Sequence, residues 1–140
     1  MVGIEVVADA TGNRTTLSGI NFGSVTPGQT DVPAQENTIA IVNTDPDGVG
    51  IKIIAAASAT SLTGPGGSIE AENITAEILK ANNETQGYSV TMSNAAQVTL
   101  FELLKPGVNN ELEFNVTLDV PSPLVSGSYS GSMTFYAVGI

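Results

Sequence analysis

The sequence predicts an all-β protein, an antiparallel β-sandwich of about eight or nine short strands. Three observations predict it. In residues 111–120, Leu112, Phe114, Val116, Leu118 and Val120 alternate with Glu111, Glu113, Asn115, Thr117 and Asp119. That is the period of a strand with one face in a core, so Phe114 and Leu118 are expected inside and Glu113 and Thr117 in water. A Pro/Ser/Gly connector over residues 121–127 then leads to a second alternating run, Tyr129, Met133 and Phe135 against Ser128, Ser130, Ser132 and Thr134. Two such strands in succession read as the backbone of an antiparallel sandwich. Finally, the chain holds 15 Gly and 7 Pro, with turn residues recurring about every ten positions, as a much-reversed chain requires.

Taken in order, residues 2–10 alternate, with Ile4, Val6, Ala8 and Ala10 on one side and Glu5, Val7 and Asp9 on the other. They read as a strand, and Thr11-Gly12-Asn13-Arg14 as a flexible break. Residues 16–25 read as the next strand, with Leu17, Ile20, Phe22 and Val25 apolar and Gly19 marking a bulge. Thr26-Pro27-Gly28-Gln29 is a turn. Residues 38–43 and 49–58 flank a polar stretch, Asn43 to Gly48, as a strand–turn–strand unit. Residues 60–67 are a loop. Residues 68–79 mix helix formers with an Ile74, Ala76, Ile78 alternation and are read as strand. A polar turn over residues 82–87 precedes the alternating Tyr88, Val90 and Met92, and residues 95–104 form a strand or short crossing before Pro106.

At 140 residues the chain is long enough to bury about two thirds of the surface it exposes when unfolded. Apolar residues make up 41% and charged ones 13%, and there is no Cys, His or Trp. That removes thiol nucleophiles, disulfides, Cys/His zinc sites and imidazole catalysis. The net charge is −10, with Arg14, Lys52, Lys80 and Lys105 as the cations, so there is no basic footprint for nucleic acid and anionic lipid would repel the chain. No stretch approaches a membrane span, and residues 1–10, carrying Glu5 and Asp9, match no signal peptide.

Asn43, Asp45, Asp47 and Gly48 reproduce the first half of a calcium loop, oxygen ligands at alternate positions and a Gly for the bend. The acid that would complete it falls at Ile54. The same residues make an ordinary β-turn, because Asn and Asp cap turns with their own side chains. Both readings stand, calcium being the one cofactor the sequence points to. Glu70, Glu72 and Glu77 are the carboxylates that would pair in a glycosidase, yet 5% aromatic content provides few sugar-stacking faces, and three acids on an acidic strand read as a solvated face. No enzyme motif is present. Asn13, Asn73, Asn83 and Asn115 each open an Asn-x-Ser/Thr sequon, where about two or three would arise by chance in so polar a chain.

Gly19-Ile20-Asn21-Phe22-Gly23-Ser24-Val25-Thr26-Pro27-Gly28 resembles the opening strand and turn of Ig-like surface and pilus domains. The closing Gly127-Ser128-Tyr129-Ser130-Gly131-Ser132-Met133-Thr134-Phe135 is similar to their end strand. Camelysin-type biofilm fibre proteins, archaeal bundling pilins and spore-coat-like pilins share this plan. The resemblance implies an Ig-like sandwich at the cell surface or outside the cell. It implies a structural filament subunit, a homo-oligomer of neighbouring copies joined by donor-strand complementation. Residues 1–12 would then be the donor strand, with Ile4, Val6 and Ala8 in a neighbour's core, and residues 13–140 the domain. The alternative to donation is that residues 2–10 pair within their own sandwich, and the alternative function is a monomeric binding or anchoring module.

Overall fold

The computed structural model describes residues 4–10, 13–16, 19–36, 38–43, 53–105 and 108–139. Among these residues there are twelve strands, β1 (Ile4–Ala10), β2 (Asn13–Thr16), β3 (Val32–Pro33), β4 (Ile39–Asn43), β5 (Ile53–Ala59), β6 (Leu62–Gly64), β7 (Gly67–Ile69), β8 (Ile74–Ala81), β9 (Glu84–Thr91), β10 (Val98–Leu104), β11 (Leu112–Leu118) and β12 (Met133–Gly139). Short 3-10 turns at Ala71–Asn73 and Val108–Asn110 complete the regular structure. The protein is all-β and sandwich-like. A seven-stranded antiparallel sheet runs β2-β1-β4-β11-β8-β9, with β3 also on β11, and a second sheet runs β10-β5-β12. A third, of two strands, is the β6–β7 hairpin.

The alternation in β11 places it at the centre. Leu112, Phe114, Val116 and Leu118 are buried and the intervening Glu113, Asn115 and Thr117 half-buried. The polar face is less exposed than the sequence implies because strands flank β11 on both sides. Phe114 lies opposite Ile39 of β4 and Ile78 of β8, and its ring meets Phe135 of β12 at 5.8 Å between centroids, tilted by 51°. Thus β11 and β12 face each other from opposite sheets, as expected of a sandwich. All five residues of β4 are buried, which suits the near-continuous apolar run Ile39-Ala40-Ile41-Val42.

Several expectations are corrected. β4 and β5 belong to different sheets, not to one hairpin, because β1 and β11 already occupy both edges of β4. Asn13 and Arg14, read as a break, lie in β2. Residues 60–67, read as loop, contain most of the β6–β7 hairpin. Residues 19–25 are not a strand. Asn21 Oδ1 accepts from the Gly23 N–H at 2.8 Å, and the Asn21 carbonyl accepts from the Gln35 N–H at 2.7 Å. Such local bonds compete with a ladder, and Gly23 takes φ 72°.

The N-terminal strand is paired within its own chain. Ile4, Val6 and Ala8 lie opposite Asn43, Ile41 and Ile39 of β4, and Val7 opposite Ala40. On its other edge β1 pairs with β2, Ala10 opposite Asn13. Residues 10 and 13, on either side of the division after residue 12, are thus paired neighbours of one sheet, and within the single chain Ile4, Val6 and Ala8 take a cis placement.

Polar side chains close the edge strand β10 against the large sheet. Asn43 Nδ2 donates to the Leu104 carbonyl at 3.3 Å, and the Tyr88 hydroxyl donates to the Leu100 carbonyl. Asn82 Nδ2 donates to the Leu103 carbonyl at 2.8 Å, while Asn82 Oδ1 accepts from the Lys105 N–H at 3.0 Å. Backbone acceptors on a sheet edge need donors, and these side chains supply them. Asn43→Ala is expected to cost about 1–3 kcal/mol in urea unfolding, because it leaves the Leu104 carbonyl without this donor in a buried position.

Tyr88 adds a pH dependence. Burial pushes its hydroxyl above the ordinary 10.0, and the nearby Glu102 carboxylate adds to the rise. A raised pKa means that the neutral phenol, which is the donor, is favoured by folding. Its contribution is present below about pH 10 and is lost as pH rises through the raised value. Thermal melts between about pH 8 and 11 should therefore fall less steeply for Tyr88→Phe than for the native chain.

Candidate binding cleft

A cleft of about 540 Å³ opens at one end of the sandwich, between residues 20–27 and residues 124–131. Its floor is apolar, from Leu62, Ile69 and Leu118. Ile20, Phe22 and Val25 are half-buried and rest against the core, which is why the apolar positions of this stretch recur although no strand forms. Ser24, Ser126, Ser128 and Ser130 add hydroxyls to the lining.

Each wall is fixed by bonds of its own. On the first, the Asn21 N–H donates to Glu36 Oε1 at 2.7 Å and the Thr26 N–H to Gln29 Oε1 at 2.6 Å. The Gly28 N–H donates to the Val120 carbonyl at 3.0 Å and the Val120 N–H to the Gln29 carbonyl at 2.7 Å, which ties this wall to the end of β11. On the second, the Tyr129 hydroxyl donates to the Val125 carbonyl at 2.6 Å. Thr63 and Ser130 exchange both backbone bonds, at 2.8 and 3.0 Å, so the wall continues the β6–β7 hairpin. The hairpin tip fits the wall closely, since a Cβ on Gly64 would meet the Tyr129 ring and one on Gly66 would meet Val125.

The lining contains no Asp, Glu, Lys or Arg, and its Tyr129 hydroxyl is engaged with the backbone. What this arrangement offers chemically is contact with uncharged surface and hydrogen bonds from hydroxyls and backbone. Sequence reasoning read residues 20–25 and 128–131 of its walls as strand and residues 124–127 as a connector, and missed the cleft. The available signal was the spacing of Gly127, Tyr129 and Gly131 opposite the Gly64-Pro65-Gly66 tip.

Among the described residues, the sequence-derived site residues do not meet in one place. Asn43 is fully buried at the end of β4, its amide bonded to the second sheet, while Asp45 and Asp47 lie outside the described residues. Among the described residues no group of three or more Asp or Glu is placed to hold a metal ion. The Glu70 carboxylate accepts from Ser61 at 3.2 Å and Ser68 at 3.4 Å. Glu72 and Glu77 are exposed, the latter opposite Asn115. Among the sequons, Asn83 is exposed at the tip between β8 and β9, whereas Asn73 and Asn115 are half-buried. Asn13 opens β2.

An uncharacterized protein of Methanocaldococcus jannaschii is 51% identical over 142 residues, an alignment that takes in all of this chain and 42% of that protein. The chain thus spans less than half the length of this curated relative. No protein-family model matches the chain, and no solved structure matches it significantly. No helix among the described residues is long and apolar enough to cross a membrane.

Proposed function

We propose that this chain is a structural or anchoring β-sandwich module of a cell-surface or extracellular assembly, acting by binding and packing. The observation that carries the reading is the cis register of β1 on β4. It completes the large sheet from the chain's own residues, and the reading therefore calls for no neighbour's strand. The net charge of −10 supports it as a source of colloidal solubility and weak self-association. The likeness of the Gly19–Gly28 and Gly127–Phe135 stretches to surface and pilus domains supports the location, and the uncharged cleft supports contact with another protein segment over acid–base chemistry.

The filament expectation requires exchange of β1 between copies, which would preserve each of the β1–β4 register pairs in trans. Two measurements test the reading together. Intact cells of the source organism are treated with a membrane-impermeant amine reagent, and the purified chain is sized and viewed in negative stain. Labelling before lysis and a monomeric mass are the expected results. Labelling only after lysis would overturn the surface assignment, and regular filaments from the purified chain would overturn the monomeric reading in favour of a filament subunit.

A further inference from the structure

We propose that Asn83 carries an N-linked glycan. The inference rests on the surface reading above, because this modification belongs to exported chains. Four sequons compete for it, and the fold separates three of them, Asn73 and Asn115 being half-buried and Asn83 exposed. Asn115 sits mid-strand in β11, opposite Glu77 of β8, and its Oδ1 is buried without a hydrogen-bond partner. Its half-buried side chain, on the sheet face opposite Phe114, leaves less room for a transferase than an exposed turn does. Asn73 is held by its backbone on both sides, its N–H donating to the Glu70 carbonyl at 3.0 Å and its carbonyl accepting from the Asp119 N–H at 2.9 Å.

Asn83 differs in each respect. It and Asn82 form the two-residue turn between β8 and β9, at φ 61° and 52°, with Ala81 opposite Glu84. Both angles are those of a tight hairpin turn that Asn tolerates well. Asn82 spends its side chain on β10, fixing the tip. Asn83, Glu84 and Thr85 are all exposed, so the whole Asn-Glu-Thr sequon is accessible in the folded chain. β9 is also an end strand of the large sheet, and a bulky, hydrated group beside it would obstruct pairing with other chains.

The co-reactant is a polyprenyl phosphate- or diphosphate-linked oligosaccharide. The Asn83 amide nitrogen forms a C–N bond to the anomeric carbon, the C–O bond to phosphate breaks, and the phosphate leaves with the electron pair. The amide loses one proton, and nothing is oxidised or reduced.

The test is peptide mass spectrometry on the native protein, purified from cells whose surface has been labelled as above. The peptide carrying Asn83 is expected to bear a sugar mass in most copies and the one carrying Asn115 none. Thr85→Ser keeps the sequon and should keep the mass, whereas Thr85→Val should abolish it without altering the turn asparagines. Unmodified Asn83 in protein labelled from outside overturns this inference and leaves the surface reading standing. Protein that resists labelling in intact cells and carries no sugar overturns both.

Discussion

Phe114→Ala is expected to lower the unfolding free energy by about 3–5 kcal/mol, a large share of the ~5–15 kcal/mol that keeps a domain folded. Phe114 is fully buried in the central strand, between Ile39 and Ile78 in register and against the Phe135 ring of the other sheet. Deleting the ring removes its apolar burial and opens a cavity where the two sheets meet, and strands paired on both sides cannot close in to fill it. Thr117→Ala, on the opposite face of the same strand, should cost under about 1 kcal/mol. Urea unfolding of the two variants checks the pair. Equal and small losses would mean that the phase of β11 is wrong.

Gly64→Val is the second large effect, at about 2–3 kcal/mol. A Cβ at this position would lie 2.5, 2.6 and 2.7 Å from three atoms of the Tyr129 ring. The ring is not free to yield. Its hydroxyl is bonded to Val125, and the next residue, Ser130, exchanges two backbone bonds with Thr63, the neighbour of Gly64. Accommodating valine therefore means breaking the bridge between the β6–β7 hairpin and the cleft wall. Gly87 of β9 is the control, since a Cβ there meets nothing within 4 Å. Gly87→Val should be neutral or mildly stabilising, as a β-branched residue in a strand. Matching thermal melts for the two substitutions would contradict the close fit at Gly64.

What the sequence made legible was local. The phase of β11 and the alternation of Ile74, Ala76 and Ile78 in β8 follow from a period of two, which burial enforces residue by residue. Partner choice was not legible in the same way. The apolar face of residues 2–10 would suit any acceptor edge, in its own chain or in a neighbour, so cis and trans pairing share one pattern. Adjacency of β4 and β5 suggested a hairpin, and nothing local reveals that β4 already has β1 and β11 beside it. Asn43 shows the same limit at a site. Beside Asp45 and Asp47 it reads as a loop ligand, yet as the last residue of β4 it shares a face with Ile39 and Ile41 and reaches Leu104. The Asn82-Asn83 pair was legible as a polar turn, and the fold narrows that turn to two residues with strand on either side.

Whether β1 belongs to its own chain can be read from one covalent bond. The native chain has no cysteine, so a Val7→Cys, Ala40→Cys double variant carries a single reporter pair. Register partners in an antiparallel ladder have Cα atoms about 4.5–5.5 Å apart, inside the ~4.4–6.8 Å range a disulfide spans. Oxidised in solution and run on a non-reducing gel, the variant is predicted to migrate as a single chain with an internal disulfide. A ladder of covalent multimers that collapses on reduction would show β1 paired with a neighbour's β4 and would contradict the cis sheet.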